Sequence, residues 1–320
     1  VAISSYGKSE RAITEDDVKR VIDSANSIKI PLDRKLLHVI PQQYIIDGTD
    51  GFKNPVNNIA IRLEADVHIV TASRTAVQNI TTCVEQANYE LDEIRLKTLA
   101  CTEAVMIEEE KKLGSILIDI GGGTTDVVVV VNDAPICTCS IPIGGNHVTT
   151  DIAIVKGIPP SAAEEIKIRD GCCFKDILDN PREVTIPGVG GRPPELTSQT
   201  EICEIIQPRM EEIFMTVRSE IVRKTDLTRL SGNIILTGGG AQMEGVLELA
   251  KNVFGTTAVR LGIPESLGGI EEDYRKPEWA TAIGLVISQR DSVQSSKVVR
   301  QKKQSASSGG LWQKLKKAFF

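Results

Sequence analysis

The strongest constraint on the fold of this 320-residue chain is a glycine turn set between two apolar runs. Residues 116–120 predict a buried strand and residues 127–131 predict a second one, with the turn between them. The turn contains Gly121, Gly122 and Gly123. Because glycine has no Cβ, such a turn can adopt positive φ and bring backbone N–H groups against a phosphate. A plain glycine-rich hairpin is the simpler alternative when this turn is considered alone.

Two carboxylates, those of Asp119 and Asp126, bracket the turn. They would repel a phosphate unless a divalent cation lay between them, so the pattern favours a nucleotide bound with Mg²⁺. The same residues also fit a hairpin with a solvated aspartate at each end. A second glycine signal favours the nucleotide: residues 233–237 predict another strand, and a glycine turn over 238–240 leads into a predicted helix.

Composition narrows the class of protein. With 41% hydrophobic and only 4% aromatic residues, the chain is long enough for a bilobed unit with an aliphatic core. No apolar run reaches the length of a membrane span, and the first residues lack a secretory signal pattern, so we expect a cytosolic protein. The seven cysteines include no CxxC pair, which predicts free thiols, with zinc binding as a distant alternative.

Charge is unevenly distributed along the chain, whose net charge is −6. Seven lysines and arginines follow Asp291 without any acidic residue, so an acidic body precedes a basic tail. An acidic body argues against nucleic-acid binding.

The basic tail has two parts. Residues 291–309 are polar and lack an apolar period, which predicts a flexible linker. Residues 310–320, if helical, place apolar side chains on one arc and lysines on the other, a pattern suited to an anionic membrane surface. Docking of this helix on another protein is the alternative. The membrane-facing candidates are Leu311, Trp312, Leu315, Lys316 and Phe319.

The rest of the chain alternates strand and helix patterns, which predicts a mostly parallel sheet covered by helices. Before the first glycine turn we expect strands over 1–5, 36–46, 59–71 and 90–96, and helices over 15–27, 75–86 and 98–109, with Thr14 as an N-cap. After it we expect a strand over 135–143, helices over 146–155 and 161–169, and a long amphipathic pattern over 200–224 that Pro208 should kink or split.

Glu164 and Lys167 share one helix face, where a surface ion pair is the simplest interpretation.

Three motifs in a fixed order then carry a family resemblance. The segments Asp119-x-Gly-Gly-Gly-Thr-x-Asp, Ala163-Glu-x-Ile-Lys and Thr237-Gly-Gly-Gly-Ala-x-Met-x-Gly resemble the ATPase fold shared by actin, sugar kinases and heat-shock chaperone ATPases. Within that superfamily, further segments resemble the FtsA family of bacterial cell-division proteins. These are residues 38–47, 62–71, 141–153, 167–172, 189–194 and 206–209.

The resemblance implies an α/β protein with the actin-like ATPase fold, in which two lobes enclose a nucleotide cleft and the first lobe carries an inserted small α+β subdomain. It implies an incomplete inserted subdomain over 1–71, the first-lobe remainder over 72–114, and a second lobe with a lower part over 115–160 and 232–290 and an upper part over 161–231. It also implies a first phosphate loop before residue 1, so we expect the chain to be N-terminally truncated and to bind nucleotide weakly on its own.

The resemblance assigns ATP and Mg²⁺ as cofactors and gives roles to particular residues. Glycines of the first turn contact the terminal phosphates, Asp119 approaches Mg²⁺ through water, Glu164 and Lys167 flank the ribose and adenine, and the second turn approaches the α-phosphate and base. The implied nucleotide-binding residues are Gly121, Gly122, Gly123, Thr124, Glu164, Lys167, Gly238, Gly239, Gly240 and Ala241.

The implied function is that of an adaptor anchoring the ring of the tubulin-like protein FtsZ to the inner face of the bacterial membrane at the division septum. Such proteins also self-associate into filaments and contact other division proteins. We expect the FtsZ contact around residues 202–223, where a buried amphipathic helix is the alternative. The resemblance also implies that relatives that hydrolyse ATP often carry an acidic residue where this chain has Lys97, and Glu103 is a poor substitute. Binding is thus better supported than turnover, and no catalytic residue is assigned. An enzyme of the same fold, a small-molecule kinase or a chaperone ATPase, is the rival hypothesis.

Overall fold

The computed structural model describes residues 2–225, 232–265 and 268–289, with side chains from Glu10 onward. The strands are β1 (Ala2–Ala12), β2 (Arg34–Ile46), β3 (Thr49–Phe52), β4 (Ile59–Ser73), β5 (Ser115–Ile120), β6 (Thr125–Val131), β7 (Ala134–Ile141), β8 (Glu183–Ile186), β9 (Glu195–Ser198), β10 (Ile234–Thr237) and β11 (Val259–Leu261). The helices are α1 (Glu15–Ala25), α2 (Arg74–Gln86), α3 (Lys97–Val105), α4 (Glu108–Leu113), α5 (Gly145–Lys156), α6 (Pro160–Asp170), α7 (Gln199–Thr225), α8 (Val246–Phe254) and α9 (280–289). No helix in these ranges has both the length and the apolarity to cross a bilayer.

The first part of the chain forms a four-stranded antiparallel sheet in the order β1-β4-β2-β3. Helix α1 buries Val21 against alternate residues of β4, including Leu63 and Ala65. The predicted N-cap of α1 is confirmed. Asp17 N donates to Thr14 Oγ1 at 3.3 Å, and the Asp17 carboxylate accepts from Thr14 N at 2.9 Å. This sheet and its helix make a small α+β unit with a core of its own.

A five-stranded sheet, in the order β11-β10-β5-β6-β7, forms the centre of the second part. Strand β10 runs parallel to β5 and β11, whereas β5, β6 and β7 pair antiparallel. The prediction of a mostly parallel sheet is therefore wrong. The reason is that the glycine turn after β5 and the tight turn after β6 make hairpins, and only antiparallel neighbours can be joined in that way.

Both faces of this sheet are covered, so every residue of β5 is buried. Ile118 and its even-numbered neighbours face α5, α7 and α8, while Leu117 faces α3 and α9. Asp119 has the same parity as Leu117 and so lies on the α3 side of the sheet. The alternation thus directs an acidic side chain at the end of β5 toward the start of α3.

Three further predictions need correction. Residues 90–96 form no strand; Leu96 N instead donates to His38 Nε2 at 3.0 Å, and this segment pairs with no strand of the described chain. The helix expected over 98–109 is broken at Met106, whose backbone is extended, so α3 and α4 are separate. Of the two outcomes expected at Pro208, a kink or a split, the split does not occur, because buried residues on both sides of Pro208 pack into one core.

A buried ion pair attaches α4 to the edge of the central sheet. Glu110 is 4% exposed, and its carboxylate accepts from Arg260 Nε at 2.6 Å and from Asn233 Nδ2 at 2.6 Å. Burial raises the pKa of Glu110, but the hydrogen bonds from Arg260, Asn233 and Ile107 N outweigh it and hold the pKa below its usual value. The ionised carboxylate therefore stabilises the fold.

Replacing Arg260 by methionine should lower the free energy of unfolding by about 3 kcal/mol at pH 7, because a buried carboxylate loses its cation. Because the pKa of Glu110 is lower in the folded state, its ionised carboxylate stabilises the fold fully only above the unfolded-state pKa of about 4.3. The difference in unfolding free energy between the variant and the parent should therefore shrink as pH falls below about 4. Urea denaturation at pH 7 and at about pH 3 measures the difference. Arg223→Met, which removes an exposed ion pair with Glu220, is the control and should cost about 0.5 kcal/mol or less. An equal effect of the two substitutions would contradict the prediction.

Candidate functional site

Two aspartates and a lysine meet at the end of β5. Asp119 and Asp126 are directly opposite each other on β5 and β6. Lys97, the first residue of α3, places its Nζ 3.2 Å from Asp119 Oδ2 and 2.7 Å from Asp126 Oδ2. The cation that lies between the two carboxylates is thus an ammonium group of the chain itself.

Neighbouring polar atoms complete this cluster. Cys101 Sγ donates to Asp119 Oδ2 at 3.5 Å, and Thr124 Oγ1 donates to Asp126 Oδ2 at 2.8 Å. Burial lowers the pKa of Lys97, but its hydrogen bonds to Asp126 and Asp119 outweigh burial and raise it, so the ammonium stays charged. Burial also raises the pKa of Cys101 to about 12, which keeps its thiol protonated.

The two aspartates expected beside Mg²⁺ leave no place between them for a directly bound metal ion. The carboxylate oxygens that approach each other already accept from Lys97, and a divalent cation placed between them would meet the ammonium. Across the described ranges, no group of three His, Cys, Asp or Glu side chains is arranged to hold a metal ion. Glu103, the alternative acid, pairs with Lys111 at 3.2 Å and takes no part in the cluster.

The first glycine turn packs against the start of α5. Gly145 N donates to Gly121 O at 2.9 Å, and Asn146 N donates to Gly122 O at 2.8 Å. A Cβ on Gly144 would lie 2.5 Å from Gly121 O, so a side chain there would push α5 away. The expectation of positive φ in this turn is wrong, because none of Gly121, Gly122 and Gly123 has a positive φ. Close backbone approach, rather than a left-handed turn, accounts for glycine at positions 121 and 144.

The second glycine turn packs against the end of β5. Gly238 has a φ of 85°, and a Cβ on it would lie 2.4 Å from Asp119 Oδ1. A Cβ on Gly240 would lie 2.4 Å from Ile120 Cγ2. Ala241 is fully buried behind the turn. Both glycine turns therefore meet at Asp119.

Gly123 and Gly239 differ from their neighbours. A Cβ on either residue would have no atom of the described chain within 4 Å, and neither has positive φ. The fold itself therefore gives no reason for glycine at these two positions, in contrast to Gly238 and Gly240. Each turn leaves one glycine open to an approaching ligand.

Glu164 and Lys167 of α6 join the cluster through α5. Lys167 Nζ donates to Glu164 Oε2 at 2.7 Å, to Thr149 Oγ1 at 2.9 Å and to Gly145 O at 3.2 Å. Burial raises the pKa of Glu164, but the hydrogen bonds from Lys167 and Thr149 outweigh it and lower the pKa below its usual value. Since Gly145 also bonds to Gly121, this ion pair is connected to the first glycine turn and is more than a surface pair.

The structure thus brings the sequence-predicted residues of the two turns and of α6 into one chain of contacts. Sequence reasoning missed the contact of Lys97 with both aspartates. The sequence did show a basic residue, Lys97, where an acid was expected. It did not show that Lys97 reaches Asp126, because Asp126 lies on a different element. The membrane candidates Leu311, Trp312, Leu315, Lys316 and Phe319 lie outside the described residues.

Comparison with known proteins identifies the family. A family model described as "Cell division protein FtsA" matches residues 116–284, and one described as "SHS2 domain inserted in FTSA" matches residues 2–71. The cell division protein FtsA of Borreliella burgdorferi is 42% identical over 98% of this chain and 77% of its own length. That of Escherichia coli K12 is 37% identical over 96% of this chain and 74% of its own length.

Solved structures agree on the fold. MreB5 of Spiroplasma citri bound to ADP superposes with a TM-score of 0.57 at 21% identity, covering 71% of this chain and 68% of that one. A PilM-PilN type IV pilus biogenesis complex superposes with a TM-score of 0.55 at 17% identity, covering 90% of this chain and 76% of that one. The predicted actin-like α/β fold with an inserted α+β subdomain is confirmed, and the chain belongs to the FtsA family of cell-division proteins.

Proposed function

We propose that this cell-division protein is an ATP-binding adaptor that anchors the FtsZ ring to the inner face of the cytoplasmic membrane at the septum. Family membership supports the adaptor role, and the meeting of two glycine turns at Asp119 supports the nucleotide. Self-association into filaments and contacts with other division proteins are part of the proposal. Sedimentation of the pure chain tests self-association.

The observation that carries nucleotide binding is the pair of open glycines, Gly123 and Gly239. Glycine is needed where backbone must approach a phosphate, and no atom of the described protein requires it at these positions. In this proposal the first turn and Thr124 contact the terminal phosphates, and the second turn through Ala241 approaches the α-phosphate and base. Glu164 and Lys167 then flank the ribose and adenine.

The cluster of Lys97, Asp119 and Asp126 favours ATP binding without rapid hydrolysis. Both carboxylates beside the first turn are paired with Lys97, so neither is positioned as a base for an attacking water. The rival hypothesis of a small-molecule kinase or chaperone ATPase requires such a group. We therefore propose slow hydrolysis at most.

Replacing Gly123 or Gly239 by valine should weaken ATP binding at least about tenfold, because a branched side chain would fill the space left for phosphate. The melting temperature should change little, since a Cβ at either position meets no protein atom within 4 Å. Equilibrium dialysis with labelled ATP measures the affinity. Gly268→Val is the matched control, because Gly268 also has an open Cβ position and lies outside both turns. Unchanged affinity in both turn variants would rule out the proposed cleft.

The FtsZ contact is proposed on the outer side of α7, because its apolar side is already in the core. Ile206, Met210 and Phe214 are fully buried, so they are unavailable to a partner. The outer side borders a groove of about 410 Å³ beside α5, where Ile154 is 73% exposed. An exposed apolar side chain at the rim of a groove fits a protein partner better than water.

Ile154→Asp should weaken FtsZ binding about tenfold, because the new carboxylate would lose its hydration on contact with the partner. Leu32→Asp, at a residue 94% exposed in the turn before β2, is the control and should bind FtsZ like the parent. Co-sedimentation with FtsZ polymers compares the two. If the two variants bind equally, the contact lies elsewhere.

The membrane contact is proposed for residues 310–320, on the strength of their aromatic and lysine arcs. Trp312→Glu should release the protein from anionic vesicles, because it removes buried aromatic area and adds a charge that must lose its hydration. Lys316→Gln removes only about 1 kcal/mol of screened attraction, so its effect should be small and should decrease further as salt rises. Vesicle co-sedimentation measures both variants. Equal pelleting of Trp312→Glu and the parent would instead indicate docking on protein.

A further inference from the structure

Two opposed carboxylates beside a phosphate-binding turn ordinarily need a divalent cation. Asp119 is 4% exposed and Asp126 is its cross-strand partner, so their charges are close together and poorly hydrated. In this chain the ammonium of Lys97 contacts both, at 3.2 and 2.7 Å. It arrives from α3, a different element from the strands that carry the aspartates.

One oxygen of each carboxylate, the one nearest the opposite aspartate, is already engaged. Asp119 Oδ2 accepts from Lys97 and Cys101, and Asp126 Oδ2 accepts from Lys97 and Thr124. A divalent cation at this place would have to displace the ammonium or lie against a like charge. The cluster therefore discriminates against a metal while retaining a positive charge.

The ammonium also borders the first glycine turn. Lys97 Nζ lies 3.5 Å from the position that a Cβ on Gly121 would occupy. An ammonium has three N–H donors, and bonds to two carboxylates leave one for a phosphate oxygen. Lys97 can thus supply both functions of the expected metal: it bridges the aspartates and attracts the terminal phosphate.

We propose that Lys97 replaces the divalent cation of this site, so that the chain binds a nucleoside triphosphate without Mg²⁺. This inference rests on the proposed nucleotide site for its ligand, but the exclusion of metal from the aspartate pair is a property of the protein alone. The two parts can be tested separately.

The first test uses Mn²⁺ as the probe, without nucleotide. Electron paramagnetic resonance titration should detect no saturable Mn²⁺ site in the parent chain up to about 1 mM metal, whereas Lys97→Gln should create one from the two freed carboxylates. Lys111→Gln is the matched control, because Lys111 also bridges two carboxylates, those of Glu103 and Glu108, at 3.2 Å each. A saturable site in the parent that Asp119→Asn removes would overturn the proposal, even if the Lys97 variant failed to fold.

The second test compares ATP affinity in MgCl₂ with affinity in EDTA, by equilibrium dialysis. The parent ratio should stay within about twofold, Lys97→Arg should preserve it, and Lys97→Gln should bind at least about tenfold more tightly with Mg²⁺. A parent that binds ATP only with Mg²⁺ would overturn the proposal. Absence of ATP binding under every condition would instead reject the proposed nucleotide site, while the Mn²⁺ titration would still decide whether Lys97 excludes metal.

Discussion

The close approach of backbone segments around the end of β5 is the constraint on which the rest of the site depends. Gly238 and Gly240 let the second turn lie against Asp119 and Ile120, where a Cβ would come within 2.4 Å of an atom of each. Gly144 lets α5 lie against Gly121 in the same way. Since interiors are close-packed, a side chain at any of these points would move a whole element rather than a single atom. Two turns far apart in the chain are thereby held beside one buried strand.

Electrostatics then decides what this arrangement can do. A buried carboxylate needs a partner, and here the partner of both Asp119 and Asp126 is Lys97. These contacts connect the start of α3 to the hairpin of β5 and β6. They also leave the two carboxylates paired with an ammonium rather than with a water molecule to be activated. The proposed adaptor role, which is to hold a partner at a membrane, does not require rapid turnover of ATP. The departure from an acidic residue at position 97 thus agrees with a binding role.

Prediction of secondary structure succeeded where local rules and burial agree. It failed where the structure of a segment depends on its pairing partners in the fold. The Thr14 cap, the apolar run of β5 and both glycine turns follow from local chemistry. A strand was expected over residues 90–96, yet no strand of the described chain pairs with them to complete a ladder. The direction of β6 depends on the length of the turn before it, and the continuity of α7 through Pro208 depends on the core below it.

The sequence by itself determined the family, the actin-like fold and the residues of the candidate site, because short motifs with close steric demands occur in a fixed order. Only the tertiary structure decided which of those glycines the protein needs and which remain open, since that depends on atoms contributed by distant elements. It also decided that Lys97 lies between Asp119 and Asp126. A charge pattern along a chain shows that a cation is required near two acids, but not which cation, because the distance between side chains is set by packing.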